Sequence, residues 1–522
     1  SAAGLLNNIL GIANYLKFDV EEVNIGNSSD SAQIIATKNY AGGFAGNAIG
    51  GDITNSNVNN LELVQADNYA GGFIGNGGTG SLADIKGLNI LGLVEISNLL
   101  SVADGVVLNI NNSNINGSLS GMVVKSLGER ENNETDKDVY YAGGFIGKST
   151  SAHINNSHVD NIKQVNASNE AGYAGGFAGV SETGNLASVT KDSEGLLQGV
   201  LDLGNLLNLV PYLVSEFKNT TVSYVSNDGQ PQVQANYAGG YVGQMQSGKV
   251  DNSDINTATV NDLEYVKGKR YSGGFAGRIY SGGLASADGL SVLGGALNIN
   301  LTNLISLLNV YVPFVIGADV LSDELVVEAT VENESGYAGG YVGYGSGLKI
   351  SDSSVSKLMS KNSSESTKEY AVSASHYAGG YVGRLDIGSA ASLGEGLKLL
   401  GDALDFSYVL QALDVVASQI ENSDVTGAVG GFSVIAEGTA DENDYIGNAG
   451  GFAGAIYGSQ VQNSNCYNFE SIIGQETAGG YAGRIEPGSV ANVLGDNDAA
   501  NNNILNGLIN ADNLLTVLQT FI

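Results

Sequence analysis

The sequence predicts a mainly β protein: a parallel β-helix or β-solenoid of about five super-repeats, with amphipathic α-helical inserts packed on its flank. Three observations carry this expectation. A glycine-rich block, A/S-G-G-F/Y-A/V/I-G, recurs ten times along the 522 residues. A second block centred on Asn/Asp-Ser follows many of its copies. Leucine-rich stretches with helical spacing alternate with these pairs. A block repeated at regular spacing marks a stacked array before it marks anything else.

The glycine block is clearest at Tyr40-Ala-Gly42-Gly43-Phe44-Ala-Gly46. Further copies pair a leading Tyr with an aromatic four residues on: Tyr69 with Phe73, Tyr141 with Phe145, Tyr173 with Phe177, Tyr237 with Tyr241, Tyr271 with Phe275, Tyr337 with Tyr341, and Tyr377 with Tyr381. In the last two copies Asn448 precedes Phe452 and Thr477 precedes Tyr481. Short and long gaps alternate between copies, and adding adjacent gaps gives a super-repeat of roughly 100 residues. The chain thus reads as one continuous array over 1–522, divided near 1–80, 81–183, 184–283, 284–388 and 389–488, with 489–522 a partial repeat. Both ends lie inside leucine-rich segments, which predicts a fragment of a longer array or a protomer of a polymer.

The second block has the form [I/V]-x-[N/D]-S-x-[V/I/C], as in Ile53-Thr-Asn55-Ser-Asn-Val58. Its copies place Asn55, Asn156, Asn252, Asp352 and Asn463 at a turn between apolar strand ends. Asn, Asp, Ser and Gly suit such corners because they tolerate turn conformations. One coil is then two or three short strands joined by tight corners. Stacking coils at the ordinary strand spacing lets each corner Asn bond its equivalents above and below. Read as one extended strand, the glycine block would put Tyr40, Gly42 and Phe44 on one face and Ala41, Gly43 and Ala45 on the other. An aromatic ladder would line the first face. The bare second face would need something packed hard against it, because interior glycine otherwise weakens a strand. A bulge or corner at the glycines is the rival reading.

The inserts read as helices. Leu393, Leu397, Leu400 and Leu404 form a helical stripe behind a candidate N-cap at Ser389. Comparable stretches cover 81–100, 186–213 and 284–308. Internal glycines make them poor autonomous helices, so burial must hold them. The bare Ala/Gly face of the coils offers one berth, and mating between chains is the alternative.

Composition narrows the functional classes. Twenty-two Lys and Arg stand against 54 Asp and Glu, a formal charge of −32. Such an excess of anions argues against nucleic acid, whose phosphates need clustered cations, and against adhesion to anionic lipid. No apolar span is long enough to insert into a bilayer. The single cysteine, Cys466, cannot form an internal disulfide and reads as a small buried hydrophobe. The glycine block is no phosphate loop, since it recurs ten times without a Walker lysine.

At the paired signature G-G-F/Y-x-G and [I/V]-x-[N/D]-S-x-[V/I], the chain resembles the GLUG-type repeats of bacterial cell-surface proteins. Gly42–Gly46 with Ile53–Val58, and Gly450–Gly454 with Val461–Cys466, carry the likeness. It covers the coils and excludes the inserts. The resemblance implies a secreted or wall-attached adhesin, stalk or spacer with a parallel β-helix body at the bacterial surface. It brings no catalytic residue with it.

No catalytic group, metal site or cofactor is expected. The three histidines, His153, His158 and His376, cannot supply a repeated site, and the first two read as solvated loop residues. The acidic clusters follow no calcium loop. Interchangeable rungs suit length and display better than one unique reaction. The expectation is therefore a non-catalytic structural protein, a stalk, filament or surface array that self-associates or continues a longer array. An adhesin engaging glycans or host proteins is the alternative.

Overall fold

A computed structural model describes residues 17–26, 30–79, 107–128, 139–168, 171–184, 210–282, 309–330, 335–360, 369–388, 415, 417–441 and 444–488. They form a mainly β, solenoid-like arrangement. Ten strands make sheet A, twenty-five short strands make sheet B, and ten make sheet C. Each turn of chain visits A, then B, then C. The second coil, for example, runs Gly51–Thr54 in sheet A, Asn57–Ala66 and Tyr69–Gly71 in sheet B, and Ile74–Gly78 in sheet C. Every strand pairs in parallel with its equivalent in the next coil, and the one antiparallel ladder among the described residues is the small hairpin Thr439–Asp441 with Asp444–Ile446.

The ten coils correspond to the ten glycine blocks. Tyr40 pairs with Tyr69, Ala41 with Ala70 and Gly42 with Gly71. The same register continues through Tyr141, Tyr173, Tyr237, Tyr271, Tyr337 and Tyr377, then through Asn448 and Thr477. Alternating apolar residues inside this wall form one cluster extending from coil to coil, including Ile53, Ile110, Ile154, Val250, Val315, Ile350 and Ile420 on sheet A. Side chains inside a parallel stack are matched to copies of themselves, so a mismatch in register would misplace the whole set.

The glycine block is a corner, which corrects the single-strand reading. Tyr40–Gly42 belongs to sheet B, the chain bends at Gly43 and Phe44, and Ala45–Ile49 belongs to sheet C. Tyr40 and Phe44 therefore do not share a face. Inter-coil hydrogen bonding continues around the bend, with Gly43 N–H donating to Gly72 O at 3.0 Å and Phe44 N–H to Phe73 O at 2.9 Å. A Cβ on Gly43 would lie 2.2 Å from that same Gly72 oxygen, and one on Gly42 would lie 2.0 Å from Ala45 O. What presses on the bare face is thus the next coil and the protein's own core, for Ala41, Ala70 and Ala142 are all buried in it. No berth for a helix remains there.

The corner between sheets A and B turns through the left-handed region. Asn55, Asn156, Asp352 and Asn463 have φ of 51°, 47°, 51° and 47°, and so do their equivalents Asn112, Asn219 and Asn422 at 50°, 53° and 51°. Asn and Asp visit this region more readily than other side-chain-bearing residues. Some of their amides bond along the stack: Asn112 Nδ2 to Asn55 Oδ1 at 3.3 Å, Asn219 Nδ2 to Asn156 Oδ1 at 3.0 Å, and Asn422 Nδ2 to Asp352 Oδ1 at 3.1 Å. Asn252 departs from the expectation. It lies outside the left-handed set and turns inward, accepting from Thr220 N–H at 2.9 Å and donating to Thr220 O at 2.8 Å.

At most of these corners the serine that follows is the buried half of the device. Ser56 N–H donates to Ser113 Oγ, and Ser113 N–H to Ser157 Oγ, both at 3.2 Å. Ser353, Ser423 and Ser464 repeat the chain at 3.2 and 3.1 Å. Ser113→Ala leaves the Ser56 N–H buried without its acceptor, so a loss of about 1–3 kcal/mol in denaturant midpoint measurements is expected, against a few tenths for the exposed Asn116→Ala.

The helical inserts predicted at 81–100, 186–213, 284–308 and 389–416 lie outside the described residues, apart from their re-entry ends. Those ends include the 3-10 turn Val210–Leu213 and the helical residues 309–311.

Candidate functional site: two aromatic ladders

The corner at each glycine pair sends the two aromatics of the block to opposite sides of the wall. The fifth position points inward. Phe44, Phe73, Phe145, Phe177, Tyr241, Phe275, Tyr341, Tyr381, Phe452 and Tyr481 stack face to face, with ring centroids 4.7–5.1 Å apart. From Phe73 to Phe452 these rings have no exposed surface.

Where the inner ring is a tyrosine, its hydroxyl crosses the core to the Ser-position corner of its own coil. Tyr241 Oη meets Thr220 Oγ1 at 2.6 Å. Tyr341 and Tyr381 donate to Ala318 O and Ser353 O at 2.7 Å, and Tyr481 to Ser464 O at 3.0 Å. Burial pushes the Tyr341 and Tyr381 hydroxyls well above the usual phenol range. They remain neutral donors, as a buried brace requires.

The leading position points outward. Tyr40, Tyr69, Tyr141, Tyr173, Tyr237, Tyr271, Tyr337 and Tyr377 form a second stack with centroids 4.5–5.4 Å apart. It ends at Asn448 and Thr477, which replace ring contact by a hydrogen bond of 2.5 Å. Cations from sheet C fold over three of these rings. Lys148 stands 5.3 Å from the Tyr141 ring, Arg278 5.7 Å from Tyr271 and Arg384 5.1 Å from Tyr377. Those three tyrosines are the most buried of the row, at 7%, 6% and 4% exposure. The cation lies seven residues after the tyrosine each time, a spacing present in the sequence but unused in reading it. Desolvation again raises the Tyr141, Tyr173 and Tyr377 hydroxyls.

Arg384 also donates to Asp386 at 2.9 Å, and Tyr344 Oη donates to the other carboxylate oxygen at 3.0 Å. Asp386 is 8% exposed. Arg384→Ala strands that carboxylate, so a loss of about 3 kcal/mol is expected in equilibrium unfolding, recovered in large part by the double substitution with Asp386→Ala.

The remaining singled-out residues are dispersed. His153 and His158 are half-buried strand residues, not solvated loop residues. Tight parallel pairing holds them at the wall. His158 Nδ1 lies 2.9 Å from Thr221 Oγ1, and burial lowers its pKa. His376 is buried. Cys466 is half-buried in a strand, and burial pushes its thiol up to about 12. Among the described residues no group of three or more His, Cys, Asp or Glu could hold a metal ion, and no helix is long and apolar enough to cross a membrane.

Sequence reasoning placed the aromatics in stacks but missed that there are two, on opposite sides of the wall. It also missed the serine ladder and the covering cations. A signal was present: the leading position is Tyr, Asn or Thr and never Phe, whereas the fifth exchanges Phe with Tyr. A position that always keeps a polar tip is one that faces water. Comparison with family models, with curated proteins and with solved structures found no match for this chain.

Proposed function

We propose that the chain is a non-catalytic structural element, a rigid stalk, filament or surface array built from a single solenoid of paired coils. The observation that carries this reading is the inner ladder, unbroken through all ten coils. Stacked aromatic pairs contribute about 0.5–1.5 kcal/mol each beyond their area, so the ladder as a whole supplies on the order of 10 kcal/mol. That stabilisation is spread evenly, as a rod needs, with each coil tied to its neighbours alone. The resemblance to GLUG-type repeats and the charge of −32 favour the outer surface of a bacterial cell as its setting. Continuation of the array, by a further coil or another copy, is the partner this reading carries. Among the described residues, Phe469, Tyr481 and Ile485 of coil 10 are exposed on the side away from coil 9.

The adhesin alternative ranks second for a geometric reason. A sugar that stacks on an aromatic ring needs a free ring face. In the outer row every ring from Tyr69 to Tyr337 has a tyrosine stacked on both faces. Electron microscopy of the native material decides between the two. Uniform rods or fibres, with no retention on glycan arrays, are the expected result. Compact particles that bind glycans would overturn it.

A further inference from the structure

The cations that cover the outer row come from one column of sheet C, and one of them lacks an anion. From coil 3 to coil 8 the column reads Lys148, Val180, Gln244, Arg278, Tyr344 and Arg384, each in register with the next. Its last cation, Arg484, stands in coil 10. Three of these four cations hold a carboxylate from the position two residues further along. Lys148 meets Glu182 of the next coil at 2.8 Å, Arg384 meets Asp386 at 2.9 Å, and Arg484 meets Glu486 at 2.7 Å.

Around Arg278 that position offers only Gln246, Tyr280 and Ser346. Among the described residues Arg278 has neither an ion pair nor a hydrogen bond, and its Nε is buried without a partner. The carboxylates two coils to either side are taken, Glu182 by Lys148 and Asp386 by Arg384 and Tyr344.

What surrounds the guanidinium is aromatic. Its carbon lies 4.1 Å from the centroid of the Tyr280 ring, 5.5 Å from that of Tyr344 and 5.7 Å from that of Tyr271. Rings hold a guanidinium through its face, whereas a carboxylate meets it along its edge. Burial pushes the Tyr271, Tyr280 and Tyr344 phenols up, so none of them supplies a negative charge. Arg270 brings a second guanidinium to Tyr271, 5.3 Å from its ring.

Gln244, in register with Arg278 one coil back, is 5% exposed, and its Oε1 is buried with no donor. A half-turn of that amide presents an N–H there instead. Two adjacent rungs thus each keep a buried polar atom without a partner, where most buried polar atoms find one.

We propose that Arg278, with Gln244 beside it, is a binding site for one carboxylate group supplied by another molecule. The class of ligand follows from the column, whose other cations all hold a carboxylate, and from the planar fork, which matches two carboxylate oxygens. Two sources carry that group: a free organic acid, and an acidic side chain of a second copy of this chain. The site needs only the coil stack and is independent of the structural role.

Nitrogen-15 labelling of arginine in the full chain tests this, because the sequence holds five arginines and their Nε–H signals can be told apart. Arg278→Lys assigns the signal by removing it. Acetate, compared with sodium chloride at equal ionic strength, should shift the Arg278 signal saturably, half-way at about 10 mM. Arg384 and Arg484, already paired, should not follow. Gln244→Leu should raise the half-saturating acetate concentration about fivefold. Where a second copy supplies the group, raising the protein concentration alone shifts the same signal, and acetate abolishes that dependence. Either response supports the site and names its source. An Arg278 signal that stays flat in both titrations would overturn the proposal, as would equal shifts at all three arginines. Unchanged affinity in Gln244→Leu would remove Gln244 from the site.

Discussion

Gly144→Ala will destabilise the molecule by more than about 4 kcal/mol, or stop coils 3 and 4 from folding together, although it adds a single methyl group. The new Cβ would sit 1.9 Å from Gly176 O and 3.0 Å from Ile162 Cδ1. That oxygen is backbone, held in the stack by the same corner, and cannot step aside as a flexible side chain could. The neighbouring N–H of Gly144 donates across the interface to Gly175 O at 3.1 Å, so widening the gap to make room breaks the pairing it belongs to. The informative control is Gly229→Ala. Nothing lies within 4 Å of its added Cβ, but its φ of 75° disfavours a side chain. A loss of about 1 kcal/mol is expected there. Equilibrium denaturation of both variants separates space from backbone conformation, and equal losses would refute the steric account.

The second large effect is expected in the inner ladder. Phe177→Ala removes a ring with no exposed surface that stacks at 4.9 Å on Phe145 and 5.1 Å on Tyr241, and also touches Phe217. Emptying such a site costs about 3–5 kcal/mol. Because each coil contacts its neighbours alone, the damage should be local. Faster amide exchange is expected in coils 3 to 5, with coils 8 to 10 unchanged. Removal of an outer ring, Tyr173→Ala, should cost less, since that side chain already borders solvent. Uniform loosening of the whole stack would show that the coils fold as one cooperative unit.

Much of this architecture could be read from the chain. Repetition alone gave the number of coils and the register, because parallel stacking matches each residue with its own copy. The corner role of Asn55, Asn156, Asp352 and Asn463 was legible too, since few residues tolerate a left-handed turn. The path of the glycine block was not. Period-two reasoning assumes that a strand continues, and nothing local distinguishes a bare strand from a bend at Gly43 whose inter-coil hydrogen bonds run on unbroken. That one ambiguity reversed the side on which Tyr40 lies relative to Phe44 and hid the second ladder. Asn252 misled for a related reason. The longer excursion of coil 6 lets its side chain turn inward, where it takes over the bonds that serine makes elsewhere. Contacts such as Arg384 with Tyr377 depend on two sheets meeting, and spacing shows them only once the meeting point is known.

Hydrogen bonds between coils point along the long axis, so a pull on the two ends loads them one rung at a time. Because each coil bonds to its neighbours alone, a stack of this kind would open under tension by successive rips, coil after coil. Every rip would pay out about thirty residues of slack, more where an insert follows, while the rungs behind stayed wound. A stack opened this way would lengthen in steps and could rewind from the intact remainder when the load is released.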